Sequence, residues 1–224
     1  MSGKKAVVIG ATGLVGRQLI RLMIKDDRYE TITIITRRPH EIKDPKLVEL
    51  IVEDFDKLQE YQSSMNAHDF YCTLGTTRKK AGSKEAFLKV DVEYPIEFAK
   101  IAKSQLKFQQ LSVVTAVGAN SSSPLFYNMA KGELEDKLQG LNLKALKIFQ
   151  PSLLLGKRKE SRFIEEVAKI FSAIASFFTI ASKKRVGAIR DVEVAKAMIE
   201  VAKKEEEGFC RYKPGQMVDI AYSV

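Results

Sequence analysis

Cysteine, histidine and tryptophan are scarce in this chain, whose 224 residues include two cysteines, two histidines and no tryptophan. Cys72 and Cys210 lie too far apart to suggest the disulfide framework of a small secreted domain, so we expect reduced, structural thiols. Neither His40 nor His68 has a second ligand at metal-binding spacing, and we therefore expect no metal site. The Gly-x-Ser-x-Gly turn is absent, which argues against acyl transfer by a serine triad.

Targeting signals for export or membrane insertion are also lacking. Met1 to Lys5 lead directly into a short apolar run, without the long apolar stretch and cleavage site of a secretory signal peptide. The most apolar segment, within 162–182, is too short and too charged to span a bilayer. We expect a cytoplasmic protein with no membrane contact.

Basic residues exceed acidic ones, giving a net charge of +9 and a pI near 9.4. Such a surface attracts anions of any kind, from nucleotide phosphates to nucleic acid. Acidic residues are interleaved with the basic ones, however, as in the run 203–207. This pattern is typical of a solvated surface, and nucleic-acid binding is not expected.

Apolar runs alternate with segments of helical periodicity, which predicts an α/β fold with a doubly wound parallel sheet. We expect one Rossmann domain over residues 1–224, in which residues 151–215 form the substrate side. The predicted strands are Lys5–Gly10, Thr31–Thr36, Leu47–Val52, Asp69–Leu74, Phe108–Val114, Ala145–Phe149, Val186–Ile189 and Met217–Ala221. The predicted helices are Leu14–Ile24, Lys84–Ser104, Phe126–Gln139, Arg162–Ser182 and Asp191–Lys204.

A glycine motif follows the first strand and opens the first helix, the context in which such a motif predicts dinucleotide binding. Gly10 makes the tight turn, Gly13 admits the diphosphate to the backbone, and Gly16 lets the helix pack closely on the strand. The helix-terminal amides would hold the diphosphate. The residues between these glycines that complete the predicted site are Thr12, Leu14 and Val15.

Two arginines, Arg37 and Arg38, follow the second strand, where an NAD-binding protein carries an acidic residue for the adenosine ribose. A guanidinium can pair with a 2′-phosphate that a carboxylate would repel. The sequence therefore predicts NADP(H), with two solvated surface arginines as the alternative.

Two further positions are candidates for the cofactor site. Asp54, after the third strand, could accept from the adenine amino group or could simply cap the following turn. Gly75, at the end of the fourth strand, could pass beside the cofactor ribose or form an ordinary turn.

Tyr127 and Lys131 are spaced by one helical turn, which places them on one face of a helix after the fifth strand. A lysine ammonium beside the phenol would stabilise the phenolate. Bringing the pKa of a tyrosine near neutrality takes a shift of roughly 3 units, which this cation and a cationic nicotinamide together could supply in a shielded cleft. Tyr127 would then exchange a proton with a substrate oxygen while hydride moves to or from the nicotinamide. Thr115 is the hydroxyl best placed to hold the substrate carbonyl, with Ser112 as a weaker alternative.

The chain resembles the atypical short-chain dehydrogenases, and within them the Tat-interacting oxidoreductase group with its bacterial and fungal relatives. The likeness runs over most of the sequence. It is carried by Gly10-Ala-Thr-Gly13-Leu-Val-Gly16, Leu74-Gly-Thr-Thr-Arg78 with Ala81-Gly82, Val90-Asp91 with Tyr94, Gly118-Ala119, Tyr127 with Lys131-Gly-Glu133, and Pro151 with Leu154-Leu-Gly156.

This resemblance implies an NADP(H)-binding Rossmann fold with a Ser/Tyr/Lys-type site, matched here by Thr115, Tyr127 and Lys131. It also implies that Lys131 and Pro151 lie beside the cofactor. The chain departs from the pattern twice: a threonine stands at the serine position, and Gln150 replaces an arginine often found before the Pro151 motif. The second change puts an anionic-substrate contact there in doubt.

Two functions remain open. The first is an NADP(H)-dependent oxidoreductase that acts on a small, partly apolar carbonyl or alcohol. The second is an NADP(H) sensor with little catalysis that presents a surface to a protein partner, as some relatives are described. Neither the substrate nor the oligomeric state is predicted.

Overall fold

The computed structural model describes residues 3–156 and 187–223. Seven parallel strands form the main sheet, in the order β3-β2-β1-β4-β5-β6-β9, and β7 and β8 pair separately. The strand order switches direction between β1 and β4, because β2 and β3 lie on one side of β1 and the later strands lie on the other. Open α/β sheets bind ligands in the crevice at such a switch point. The strands are β1 (Lys4–Ile9), β2 (Tyr29–Thr36), β3 (Leu47–Ile51), β4 (Asp69–Cys72), β5 (Gln110–Val114), β6 (Ala145–Phe149), β7 (Leu154–Leu155), β8 (Ile189–Arg190) and β9 (Gly208–Tyr212).

Helices cover both faces of this sheet, as a parallel sheet with apolar strands requires. The helices are α1 (Leu14–Ile24), α2 (Arg78–Ala81), α3 (Lys84–Leu88), α4 (Tyr94–Ser104), α5 (Phe126–Gly140), α6 (Asp191–Lys203) and α7 (Pro214–Tyr222), with a 3₁₀ helix at Phe55–Met65 and a π-helical segment at Lys89–Glu93. One apolar cluster lies between the sheet and α4 and α5. The other lies between the sheet and α1, α6 and α7. The doubly wound Rossmann architecture predicted from the sequence is confirmed.

The predicted strand at Met217–Ala221 is wrong, because these residues belong to α7. Pro214 occupies the first turn of that helix, and the Gln216 side chain accepts a hydrogen bond of 2.9 Å from the Lys213 amide. Met217 and Ala221, one helical turn apart, bury the same face. The last strand of the sheet is instead β9.

Other sequence predictions differ in detail. The predicted helix Lys84–Ser104 is interrupted by the π-helical segment between α3 and α4. The 3₁₀ helix, α2, β7 and β9 were not predicted. The predicted helix Arg162–Ser182 lies outside the described residues, as does the start of the predicted strand at Val186.

A buried polar cluster lies at the amino ends of the strands, opposite the crevice. The Tyr29 hydroxyl donates to Oδ2 of Asp69 at 2.7 Å and lies 2.7 Å from the Tyr71 hydroxyl. Gln110 donates to the other carboxylate oxygen at 3.0 Å. Burial raises the pKa of Tyr29 and of Tyr71 well above the ordinary value. These phenols are part of the core and take no part in the site described below.

Candidate active site at the crevice

The glycine turn after β1 is held by backbone contacts that exclude any larger residue at two positions. Gly10 has φ +87°, and a Cβ atom built on it would lie 2.5 Å from the Thr73 carbonyl carbon. A Cβ atom on Gly16 would lie 2.3 Å from the Gly10 oxygen. Gly10 and Gly16 therefore serve the fold itself.

Gly13 is different, because its backbone is extended (φ −73°, ψ 175°) and its Cβ would meet only the Gly10 oxygen at 3.2 Å and the Thr73 oxygen at 3.8 Å. As the N-cap of α1, Gly13 contributes no side-chain cap, and the first turn has no acidic residue. The first-turn amides are thus free to meet an anion, which is the environment that a diphosphate needs.

The residues between these glycines differ in what they can offer to a ligand. Thr12 is exposed and Leu14 is half-buried at the mouth of the turn. Val15 packs its side chain in the apolar core, so only its backbone could face a cofactor.

Arg37 and Arg38 are both exposed immediately after β2. The Arg37 guanidinium lies 5.9 Å from the centre of the Phe55 ring. Within residues 3–156 and 187–223, neither guanidinium pairs with a carboxylate. Thr36 fixes the turn by donating to the Arg38 carbonyl at 2.7 Å. Two exposed cations with no carboxylate partner in this part of the chain therefore follow β2.

Asp54 and Pro151 form hydrogen bonds within the protein, and Gly75 lies close to Asp91. Asp54 caps the 3₁₀ helix, since its Oδ1 accepts from the Asp56 amide at 3.0 Å. A Cβ atom on Gly75 would lie 3.7 Å from Oδ1 of Asp91, so this glycine borders the site. The Pro151 carbonyl accepts from the Val117 amide at 3.0 Å, which ties the loop after β6 to the loop after β5.

Lys131 forms a buried ion pair with Asp91, a residue that sequence reasoning did not assign to the site. Nζ of Lys131 lies 2.7 Å from Oδ1 of Asp91, and their side chains are 3% and 1% exposed. The other carboxylate oxygen accepts from the Thr76 amide at 2.8 Å. Asp91 thus joins α5 to the loop that follows β4. The available signal was the Val90-Asp91 motif, which places a carboxylate between two valines.

Tyr127 lies one turn before Lys131 on α5, and its ring centre is 6.1 Å from that of Phe87. Burial raises the pKa of Tyr127, the Lys131 ammonium lowers it, and the Asp91 carboxylate raises it, with a net upward shift. Burial lowers the pKa of Lys131, but the charge and hydrogen bond of Asp91, with Tyr127 and Cys72, together outweigh burial, so the net shift is upward and Lys131 is protonated. Without a nicotinamide, Lys131 thus lowers the pKa of Tyr127 by less than burial and Asp91 together raise it.

Thr115 donates its hydroxyl proton to Oε1 of Glu135 at 2.6 Å. Glu135 is buried and also accepts from Gln150 at 2.9 and 3.1 Å and from Nε of Arg211 at 2.8 Å. A threonine hydroxyl has one proton, so Thr115 cannot also donate to a substrate carbonyl in this arrangement. The side-chain nitrogen of Gln150 likewise donates to Glu135.

The weaker hydroxyl candidate, Ser112, is completely buried within β5 and does not reach the crevice. Sequence reasoning also missed Glu135, although it follows Lys131 by one helical turn and so shares a face with it and with Tyr127. The structure thus brings Tyr127, Lys131 and Asp91 together and assigns Thr115 to a separate, adjoining network.

Both cysteines are free thiols, as the sequence predicts. Over the described part of the chain, no group of histidine, cysteine and acidic side chains is arranged to hold a metal ion. Within the same residues, no helix has the length and apolar character that crossing a membrane requires.

Residues 6–139 match the model of the "NAD dependent epimerase/dehydratase family". Among curated proteins, the chain is 34% identical over 174 residues to Protein HTATIP2 of Rattus norvegicus, an alignment that covers 76% of this chain and 71% of the relative. It is 37% identical over 161 residues to Protein FMP52, mitochondrial, of Debaryomyces hansenii, with 71% and 70% covered. Among solved structures, MoeE5 in complex with UDP-glucose and NAD superposes with a TM-score of 0.69 at 12% identity, covering 98% of this chain and 81% of that one.

The prediction of a cytoplasmic protein is contradicted by these relatives, since several fungal ones are named as mitochondrial proteins. A test for a secretory signal pattern does not distinguish the cytosol from the mitochondrion. The fold and the glycine turn agree with the family match. This chain belongs to the NAD dependent epimerase/dehydratase family, as an atypical short-chain dehydrogenase with an NAD(P)-binding Rossmann fold.

Proposed function

We propose that this protein is an NADP(H)-dependent oxidoreductase that reduces the carbonyl group of a small, partly apolar substrate. The observation that carries the proposal is the position of the Tyr127 phenol one helical turn from the buried Lys131–Asp91 pair. A positioned phenol beside a fixed cation is suited to proton transfer at a substrate oxygen.

The state of Tyr127 favours reduction over oxidation. Because burial and Asp91 together outweigh Lys131 and raise the pKa of Tyr127, the phenol keeps its proton at neutral pH. A protonated phenol donates to the oxygen of a carbonyl that is becoming an alcohol. Lys131, held in place by Asp91, would stabilise the phenolate that this step leaves behind.

The bound nicotinamide cofactor would supply the hydride. The first-turn amides of α1 and the open backbone at Gly13 would hold its diphosphate. Arg37 and Arg38 would meet the 2′-phosphate, because a guanidinium pairs bidentately with phosphate oxygens. Gly75 would border the cofactor beside Asp91. The second carboxylate oxygen of Asp54 would accept a hydrogen bond from the adenine amino group.

An apolar rim supports a partly apolar substrate. Leu125, which precedes α5, is 43% exposed, and Leu155 in β7 is 46% exposed. Phe126 is half-buried next to Tyr127. Leu125 and Phe126 lie next to the proton donor in the chain, and apolar groups there suit a ligand with one carbonyl and an apolar body.

A second function, an NADP(H) sensor that binds a protein partner, is favoured by one observation. The Thr115 hydroxyl is bound to Glu135, so the predicted third member of the catalytic set is occupied. A sensor would retain the cofactor site and would not need Tyr127.

One experiment separates these functions. Aldehydes, ketones and quinones would be screened for NADPH oxidation, and the best substrate compared in the wild type, in Tyr127→Phe and in the control Tyr61→Phe, which lies outside the site. We expect Tyr127→Phe to bind NADPH within a few-fold of wild type and to lose turnover by about 100-fold. The reductase proposal fails if the screen finds no substrate or if Tyr127→Phe retains full turnover.

The cofactor preference has its own test by calorimetric titration with NADPH and NADH. Arg38→Asp should lose at least about tenfold in NADPH affinity and little in NADH affinity, since it replaces a phosphate-binding cation by an anion. Arg21→Asp, the same charge change at an exposed position on α1, should alter neither. Equal wild-type affinities for the two cofactors would refute the 2′-phosphate assignment.

A further inference from the structure

Residues 75–84, which lie shortly after β4, form a strongly basic segment. It contains Arg78, Lys79, Lys80 and Lys84 and no aspartate or glutamate. Arg78 and Lys84 are exposed, and within residues 3–156 and 187–223 neither of them pairs with a carboxylate. Cations without counter-ions raise the local concentration of anions around them. The basic segment therefore favours a negatively charged ligand.

Both ends of the basic segment contact residues around Tyr127. At its start, the Thr76 amide donates to Oδ2 of Asp91 at 2.8 Å, and the other oxygen of this carboxylate belongs to the buried ion pair described above. Its last residue, Lys84, lies on α3 one helical turn before Phe87. The centre of the buried Phe87 ring is 6.1 Å from that of Tyr127. The basic segment thus borders the site of the proton donor.

Aromatic surface lies between the Lys84 cation and Tyr127. Nζ of Lys84 is 5.5 Å from the centre of the Phe126 ring. The Phe126 ring is half-buried and lies 5.4 Å from the Phe87 ring, which in turn contacts Tyr127. The order along this surface is therefore a proton donor, two aromatic rings and a cation. A ligand of matching order has a carbonyl group, an apolar body and an anionic end group.

We propose that Lys84 and Arg78 bind the anionic end group, a carboxylate or a phosphate, of an apolar carbonyl substrate. This inference rests on the proposed function, because it takes Tyr127 to be the proton donor. The two cations form charge-assisted contacts with the anion, and the Phe126 ring contacts the apolar body. The anionic contact that Gln150 put in doubt is then made by a different element of the fold.

The phosphates of the cofactor have other partners. In the sheet, β2 lies on one side of β1 and carries Arg37 and Arg38 at its end, whereas β4 lies on the other side of β1. The first-turn amides of α1 serve the diphosphate, and the two arginines serve the 2′-phosphate. Because the basic segment follows β4, its cations remain for the substrate.

The test measures binding without turnover. Decanoate, decyl phosphate and methyl decanoate, which share an apolar chain, would be titrated calorimetrically into the full-length protein in the presence of NADPH. We expect at least one of the two anions to bind at least about tenfold more tightly than the neutral ester, and the tighter one identifies the end group. Lys84→Met and Arg78→Met should each weaken that anion by about threefold, and the double variant by about tenfold, with methyl decanoate unchanged.

Two further variants locate the ligand. Lys100→Met is the matched control, since Lys100 is exposed on α4, pairs with Glu97 at 2.6 Å and carries the same charge. It should change none of the affinities. Phe126→Ala, with folding verified by circular dichroism, should weaken the anions and the ester alike by about tenfold, because it removes the apolar contact.

The proposal is overturned if neither anion binds more tightly than methyl decanoate. It is equally overturned if Lys100→Met weakens the anions as much as Lys84→Met does, since that result shows only the general attraction of a basic protein. A loss of NADPH affinity in Lys84→Met and Arg78→Met would assign these cations to the cofactor instead. A failed substrate screen refutes the reductase but leaves these affinities measurable, so the two failures are distinguishable.

Discussion

The Thr115 hydroxyl and the Glu135 carboxylate are joined by a 2.6 Å hydrogen bond, about two helical turns along α5 from Tyr127. This bond uses the one proton of the hydroxyl that was expected to hold the substrate carbonyl. Glu135 also accepts hydrogen bonds from Gln150 and Arg211. The residues that follow β5 and β6 and a residue of β9 thus meet at one buried carboxylate. The network stabilises the packing of α5 on the sheet and so holds Tyr127 in position.

We therefore expect Thr115→Val to affect stability more than turnover. Loss of one donor to a buried carboxylate should lower the free energy of unfolding by about 1–3 kcal/mol. Turnover should fall by less than about tenfold, against about 100-fold for Tyr127→Phe. Urea denaturation and steady-state kinetics would measure both effects, with Thr115→Ser as the control that keeps the hydroxyl. If Thr115→Val has wild-type stability and loses about 100-fold in turnover, this prediction is wrong and Thr115 acts in catalysis.

The Lys131–Asp91 pair gives a second prediction, for Asp91→Asn. The asparagine oxygen can still accept from the Thr76 amide, but Lys131 becomes a buried cation without a counter-ion, which should cost about 3–5 kcal/mol of stability. Because Asp91 raises the pKa of Tyr127, its neutralisation should lower that pKa. The high-pH limb of the reductase profile, which reports loss of the phenol proton, should then move to lower pH.

A matched control for this change lies on the same helix. Glu133 pairs with Lys137 at 2.7 Å, but both side chains are substantially exposed. Glu133→Gln should change stability by less than about 0.5 kcal/mol and leave the pH profile unmoved. A profile that moves to higher pH in Asp91→Asn would contradict the assigned electrostatics.

The third prediction concerns two glycines of the turn after β1, one required for stability and the other for cofactor affinity. Gly16→Ala would place a Cβ atom 2.3 Å from the Gly10 oxygen, so we expect a loss of several kcal/mol in stability. Gly13→Ala requires only a small shift of that oxygen, and should fold while losing at least about tenfold in NADPH affinity.

Gly140→Ala is the control, because a Cβ atom there meets nothing within 4 Å. Thermal unfolding and fluorescence titration would be measured for all three variants. If Gly13→Ala binds NADPH as tightly as wild type, the diphosphate does not contact this turn.

Much of the fold could be predicted because its signals are local. The strand β1, the turn at Gly10 and the helix α1 are specified by adjacent residues, as are Tyr127 and Lys131 on one helical face. The short apolar run Met217–Ala221 was misassigned because such a run fits a strand or a helix equally well. Pro214, which favours the first turn of a helix, was the signal that should have decided it.

The electrostatics of the site could not be predicted in the same way. Asp91 meets Lys131 only because the π-helical segment Lys89–Glu93 buries it against α5, and nothing local in the sequence specifies that contact. Thr115 reaches Glu135 through the packing of α5 on β5. Both contacts are long-range, and both change the chemistry expected of residues that the sequence identified.

The last prediction concerns Tyr29 and Tyr71, which form the buried cluster with Asp69 at the amino ends of the strands. Burial raises the pKa of both phenols in the folded chain. Below about pH 10 both are protonated whether the chain is folded or not, so their contribution to stability is complete. Above that pH the unfolded chain loses these protons while the folded chain retains them, and stability falls by about 1.4 kcal/mol per pH unit for each phenol.

Urea denaturation at several pH values between about 8 and 11 would measure this slope. Tyr71→Phe should be less dependent on pH above about 10, because one of the two phenols is gone, even if its stability at neutral pH is lower through loss of the hydrogen bond to Tyr29. Tyr222→Phe, at a residue that is 53% exposed, should keep the wild-type slope. An unchanged slope in Tyr71→Phe would show that this phenol ionises as readily in the folded chain as in the unfolded one, and that the cluster admits hydroxide or opens locally before the sheet unfolds.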